Sequence, residues 1–362
     1  MKTLFLGDVC CIEKNRSLFE QGDLETLFTD TLSLLEGNDI NFVNLECALT
    51  ESKIPIKKFG PPLSAPPATA KLFKKIGVNY VGLSNNHFFD FGIKGALDSI
   101  KYLEAAGLGY TGFGCNYDDA RKDLVIEKNS EKICVIAVCE HEYSYALEDR
   151  MGSRVFDEYD TLEDIRHAKE NNDRVIVLYH GGKEHCRYPS PRLYKTCRAM
   201  ARAGADMVLC QHTHCIGSYE EYNGCHILYG QGNFCFLSHS PTLPNSWNSF
   251  LATKYDTVTN EIEFIPMVNT ELGITLAKGE EKNDIMQAFE KRNQQLQNGE
   301  WKKGWHDFCE ANKGIYLRAI KNACNEGSSQ EANDLFGHFL DCEAHTDVWR
   351  ELFPTYNQTN EK

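Results

Sequence analysis

The chain has no apolar run approaching the ~18 residues that cross a bilayer, so a membrane-inserted segment is not expected. It is short of positive charge: 38 Lys and Arg stand against 52 Asp and Glu, a formal net charge of −14 over 362 residues. A surface that tracks phosphates is usually basic, so no nucleic-acid partner is expected. Glycines crowd residues 107–114, but their spacing fits neither the dinucleotide nor the P-loop fingerprint. That segment reads as a helix stop followed by a short strand. No Cys-x-x-Cys pair occurs among the 15 cysteines, an odd number lying mostly in apolar runs. Free buried thiols in a reducing compartment fit this better than a disulfide framework, and a cytoplasmic location is expected. The opening residues, Met1 to Asp8, meet an aspartate too early for a secretory signal and read as a first strand.

What is present is an alternation of short apolar runs with helical spacings. Strands are predicted over residues 2–6, 40–45, 78–84, 123–127, 132–139, 174–179 and 205–210, and a hairpin over 250–255 and 261–268. Helices are predicted over 23–35, 68–76, 93–106, 161–170 and 193–203. Residues 51–67 are rich in proline and read as loop. The acidic and aromatic segment 140–149 also reads as loop. From residue 278 strand signals vanish and helices are predicted over 284–296, 301–324 and 331–353. The division is therefore 1–277 for an α/β domain and 278–362 for a helical extension that could serve as cap, lid or oligomer contact. Residues 356–362 read as a frayed tail.

The strand exits carry the chemistry. Asp8, Glu46, Asn86 with His87, His180, and His212 with His214 each follow an apolar run. Ligands of open α/β sheets gather at such ends. His212 and His214 are two apart, which on a straight strand would put them on opposite faces. In a loop turning over a strand end both rings can converge. Two carboxylates, an amide oxygen and three imidazoles suit borderline divalent ions, Mn, Zn or Fe.

These residues sit in motifs that resemble a known family. Gly7-Asp8, Asn44-Leu45-Glu46, Asn85-Asn86-His87 with Asp90 and Gly92, His180-x-Gly182-x-Glu184, Gly204-Ala205-Asp206, His212-x-His214 and Gly232-Asn233-Phe234 occur in order. The chain resembles the CapA group of poly-γ-glutamate capsule biosynthesis proteins, related to calcineurin-like metallophosphatases. The resemblance implies a four-layer α-β-β-α sandwich with metals at the sheet ends. It implies Asp8 and His214 on one metal, Asn86, His180 and His212 on the other, and Glu46 bridging. His87 would face the scissile phosphate, oriented by Asp90. Glu184 and Asn233 would support the ligands from behind.

Three departures stand out. Cys10 replaces a histidine of the phosphatase pattern and reads as a packed thiol rather than a ligand. Glu46 replaces an aspartate, as in the CapA group, and Gln211 replaces a glycine. One ion or two both remain open. His185, His226 and His239 match no motif and read as surface or pocket-rim residues. The expected function is a metal-dependent hydrolase of phosphoester type acting on a small or polymeric anionic substrate. A γ-glutamyl amide hydrolase or transferase and a non-catalytic polymer-assembly protein are the alternatives.

Overall fold

The structure is a computed structural model that describes residues 1–238 and 243–354. His239 and the expected tail at 356–362 lie outside the described residues. Thirteen strands build two sheets: β1 (Lys2–Val9), β2 (Ile40–Leu45), β3 (Tyr80–Gly82), β4 (Gly109–Thr111), β5 (Leu124–Lys128), β6 (Glu131–Cys139), β7 (Arg174–His180), β8 (Met207–Gln211), β9 (Tyr219–Tyr222), β10 (Cys225–Leu228), β11 (Ser249–Asp256), β12 (Glu261–Asn269) and β13 (Ile274–Leu276). The first sheet runs β13-β12-β11-β1-β2-β3-β4 and the second β9-β10-β8-β7-β6-β5. β1 to β4 are mutually parallel, as are β6, β7, β8 and β10. Their C-terminal ends are therefore the ends at which ligands collect.

Eight longer helices accompany them: α1 (Ala68–Lys75), α2 (Gly92–Ala105), α3 (Asp160–Asn171), α4 (Pro191–Ala203), α5 (Gly279–Asn298), α6 (Trp301–Ala323), α7 (Gln330–Asp341) and α8 (Glu343–Leu352). The layering follows from the strands' period of two. On β1, Leu4 and Leu6 join one apolar cluster with Phe73 of α1 and Leu103 of α2. Phe5 points the other way, into a cluster shared with Val135, Leu178 and Leu209 of the second sheet. On β8, Val208 and Cys210 meet Ile165 of α3 and Met200 of α4. Three cores between four layers make the expected α-β-β-α sandwich. Strands buried on both faces need near-continuous apolar runs, which is how they read in the sequence.

Two predicted helices break. Residues 23–35 form Leu24–Phe28 and then a 3-10 turn, Thr29–Leu34. Thr29 donates its hydroxyl to the Ile274 carbonyl at 2.6 Å, and Asp30 accepts from Leu276 N at 3.0 Å. Those bonds to β13 outweigh the helical period. The 331–353 pattern splits at Cys342, which is extended at φ −73° and ψ 127°, giving α7 and α8. The hairpin turn forms as predicted, with Asp256 accepting from Val258 N at 2.9 Å.

The C-terminal helices pack back onto the sandwich. α5 lies against β9 and β12 and sends Phe289 into the core between the sheets. α6, α7 and α8 share a core of Trp305, Tyr316, Phe339 and Val348 that also takes Cys186 from the loop after β7. Asp347 of α8 accepts from Arg192 Nε at 2.9 Å and from Ser190 Oγ at 2.6 Å, at the capped start of α4.

Candidate metal centre

The six proposed ligands meet at one end of the sandwich. Asp8 and His180 close β1 and β7, Glu46 follows β2, Asn86 follows β3, and His212 and His214 follow β8. All six are buried. His212 and His214 adopt φ of 80° and 51°, the left-handed region that non-glycine residues rarely enter. Two such residues flanking Thr213 bend the chain so that the i and i+2 rings converge, with centroids 6.0 Å apart. Strain of this kind persists only where the surroundings over-determine it. Here they do: His212 N donates to Asp8 Oδ2 at 3.0 Å, and Asn233 Oδ1 accepts from His214 Nδ1 at 2.7 Å. Gly7 allows the close approach that this requires, since a Cβ there would meet the Gly232 carbonyl oxygen at 2.0 Å.

The donor atoms cluster tightly. His180 Nε2 lies 3.0 Å from Asn86 Oδ1 and 3.3 Å from Glu46 Oε1. His214 Nε2 lies 3.8 Å from Glu46 Oε1, and its proton is on Nδ1, so this nitrogen keeps its lone pair. Two ligands ~2.0–2.2 Å from a zinc-like ion sit roughly 3.3–3.6 Å apart on a tetrahedron. Two triads have all their donor atoms within 4.8 Å of one another: Asp8, Glu46 and His180, and Glu46, His212 and His214. Glu46 belongs to both. The triads pair Asp8 with His180 and His212 with His214, a different partition from the one the family resemblance implies.

The electrostatics point the same way. Both oxygens of Glu46 and Nδ1 of His212 are buried without a hydrogen-bond partner. Burial and the Glu46 carboxylate push the Asp8 carboxyl up to about 7. Burial, with Glu184 and Glu142 adding repulsion, holds Glu46 well above the ordinary carboxylate range. Burial brings His180 down to about 4 and His212 to about 3. A Glu46 carboxylate without donors, facing Asp8 and three neutral imidazoles, is costly when left unmatched. A divalent cation would satisfy the whole set, so these residues fit one.

His87 and Asp90 sit beside the centre. His87 Nδ1 donates to Asp90 Oδ2 at 2.7 Å, and Asp90 also accepts from Leu63 N at 2.7 Å. Lys58, which no motif marks, reaches in from the proline-rich loop. Its Nζ donates to Asp90 Oδ1 at 2.6 Å and lies 3.2 Å from His87 Nδ1. Asn44 is a second residue given no role beforehand. Its Nδ2 donates to Asp8 Oδ1 at 2.7 Å and lies 3.2 Å from His180 Nδ1. Its place in Asn44-Leu45-Glu46 was the available signal. Glu142 is the third: it lies 3.7 Å from His212 Nε2, so the acidic segment 140–149 reaches the site instead of being plain loop.

Glu184 makes no hydrogen bond to His180. It lines the adjoining cavity, where Lys183 and the nearby histidines hold its carboxyl below the ordinary range against the effect of burial. The Cys10 thiol is fully buried, contacts the Cys11 carbonyl at 3.2 Å and joins neither triad, as a packed thiol should. His185 lines the cavity. His226 does not belong to a surface or a rim: it is buried on β10, with Tyr219 Oη at 2.7 Å from Nδ1 and the Asn260 carbonyl at 2.9 Å from Nε2. Position on a strand, invisible to motif matching, makes it a core histidine.

Residues 2–238 match the family described as bacterial capsule synthesis protein PGA_cap. The chain belongs to the PGA_cap family. It is 33% identical over 180 residues to the capsule biosynthesis protein CapA of Bacillus anthracis, covering 48% of this chain and 44% of that one. It is 27% identical over 237 residues to the PGA biosynthesis protein CapA of Bacillus subtilis strain 168, covering 64% of this chain and 62% of that one. The chain thus spans less than two thirds of the length of either relative. Among solved structures it is similar to a 5′-nucleotidase precursor from Thermus thermophilus, with 10% identity, a TM-score of 0.42, and coverage of 82% of this chain and 59% of that one.

In this PGA_cap chain the helices beyond the matched region wall the site. A cavity of about 600 Å³ opens beside Asn86 and His87. Lys58, Glu142 and Lys183 line its sandwich side, and Phe308, Tyr316 and Phe339 of α6 and α7 line the other. No helix among the described residues is long and apolar enough to cross a membrane.

Proposed function

We propose that this chain is a metal-dependent hydrolase of a phosphoester. The observation that carries the proposal is the pair of donorless, buried oxygens of Glu46, shared by two ligand triads at the mouth of a cavity. Asp8, Glu46, Asn86, His180, His212 and His214 would hold one or two divalent ions, Mn, Zn or Fe. When bound, such ions supply Lewis acidity toward the phosphoryl oxygens and toward an attacking water. Asn44 orients Asp8 and His180, and Asn233 fixes the His214 tautomer, as partners behind metal ligands do. His87 turns its Nε2 toward the substrate and interacts with the phosphoryl or leaving oxygen. Asp90 and Lys58 hold that ring in place. Turnover of an aryl phosphate by manganese- or zinc-loaded protein, abolished by Asp8→Ala or His180→Ala, tests the proposal. A fully metallated protein inert toward every phosphoester contradicts it.

Membership in a capsule synthesis family favours a second reading, in which the same centre polarises the carbonyl of a γ-glutamyl amide. Activity on γ-glutamyl peptides without activity on phosphoesters would select it. A non-catalytic role in polymer assembly would leave binding unchanged in Asp8 and His212 variants. All 15 cysteines are free, which supports a reducing, cytoplasmic setting for any of these.

A further inference from the structure

The cavity beside the metal centre holds two ammonium groups with different commitments. Lys58 is bound to Asp90 and is nearly buried, its side chain 3% exposed. Lys183 also lines the cavity, but its ammonium makes no hydrogen bond or ion pair among the described residues. It is half-buried, between Gly182 and Glu184. Gly182, at φ 92°, turns the loop after β7 so that this residue reaches over the site. Lys183 shares the cavity with His338 on α7 and His345 on α8, whose imidazoles its charge helps to depress. The nearby acids do not pair with it. Glu142 stands 3.4 Å from His338 Nε2 and 3.7 Å from His212 Nε2, and Glu184 comes within 4.0 Å of no lysine. Beside these charges the wall is apolar, with Phe308, Ile315 and Phe339. An ammonium without a direct ion pair beside such a wall attracts anions more strongly than one in water.

We propose that Lys183 forms a second anion subsite, so that the occupant is a compact molecule with two anionic groups: one at the metal centre and a carboxylate or phosphate at Lys183, joined by a short apolar frame along α6 and α7. A cavity of about 600 Å³ is the size that encloses such a molecule. The proposal rests on the metal-centre reading for the first group only. Specificity would then come from the helices outside the family match, and family membership alone would not reveal the substrate.

The test is calorimetric titration of the manganese-loaded full chain with phenylphosphonate and with 3- and 4-carboxyphenylphosphonate, which report binding without turnover. The wild-type chain should bind a carboxylated probe about tenfold tighter, the gain expected of one charge-assisted contact. Lys183→Gln should erase that preference while leaving phenylphosphonate within about twofold, and Lys183→Arg should keep it. Equal binding of all probes by the wild type overturns the proposal. So does a Lys183→Gln variant that loses phenylphosphonate as strongly as the carboxylated probes, because the lysine would then serve the metal-bound anion. Manganese stoichiometry is measured on the same samples. If manganese does not bind, the metal-centre reading fails alone, and a carboxylate preference that Lys183→Gln removes still supports the subsite.

Discussion

The backbone N–H of His212 donates to Asp8 Oδ2 at 3.0 Å, and this bond joins the ends of the two sheets. It ties a proposed ligand on β1 to the strained loop after β8. Removing Asp8 should therefore cost both a ligand and the loop's geometry. Asp8→Ala is expected to lose at least one equivalent of manganese by elemental analysis and to abolish turnover, a fall of at least roughly 10²–10³. Unchanged metal content would separate Asp8 from the centre.

Metal-free protein should lose stability as pH rises above neutrality. Asp8 is pushed up to about 7 and Glu46 well above the usual range, so the folded chain holds protons that the unfolded chain has released. Stability from such groups falls as pH rises through their folded values. The depressed histidines act oppositely: His180 near 4 and His212 near 3 make stability rise from about 4 until the unfolded imidazoles, half-titrated at about 6.5, are neutral near about 7.5. Above about 7.5 the raised carboxylates carry the trend, Glu142 among them, which burial pushes up to about 8. In EDTA, denaturant titrations should show a fall on the order of 1–2 kcal/mol between pH 7.5 and 8.5. Saturating manganese or Glu46→Gln should reduce it.

Lys58→Met tests the His87 arrangement without replacing a ligand, although Lys58 Nζ also donates to the Asn86 carbonyl at 3.4 Å. Lys58 neutralises Asp90 and touches His87, so its loss should let the ring wander. Turnover is expected to fall about 10- to 100-fold with metal content unchanged. A loss of metal instead would make Lys58 a support of the centre itself.

Asp347→Ala tests the docking of the C-terminal helices. It leaves Arg192, which pairs with both Asp347 and Glu140, with one acidic partner fewer at a partly buried site. The expected cost is about 2–4 kcal/mol in chemical denaturation. Because α6 and α7 wall the cavity, KM should rise more than kcat falls. A variant with unchanged KM would detach those helices from substrate binding.

The alternation of apolar runs and the polar residues at their exits made the sandwich and its ligand end legible. Asp8, Glu46, Asn86, His180, His212 and His214 are each visible as a polar residue ending an apolar run. The contacts that decide between neighbours were not visible. Thr29 breaks its helix because β13 offers it a carbonyl 245 positions away. Lys58 looked like loop chemistry because its partner Asp90 lies 32 positions on. His226 and His180 are both strand histidines, and only the end of the sheet on which each falls makes one a core residue and the other a proposed ligand.

The central claim is that Glu46 shares a cation with histidines from the opposite sheet. Anomalous diffraction at the manganese edge, from crystals grown with manganese, tests it directly. At least one peak is expected about 2.0–2.3 Å from a Glu46 carboxylate oxygen and from His180 or His214. Manganese bound elsewhere on the chain, with no peak beside Glu46, would contradict it.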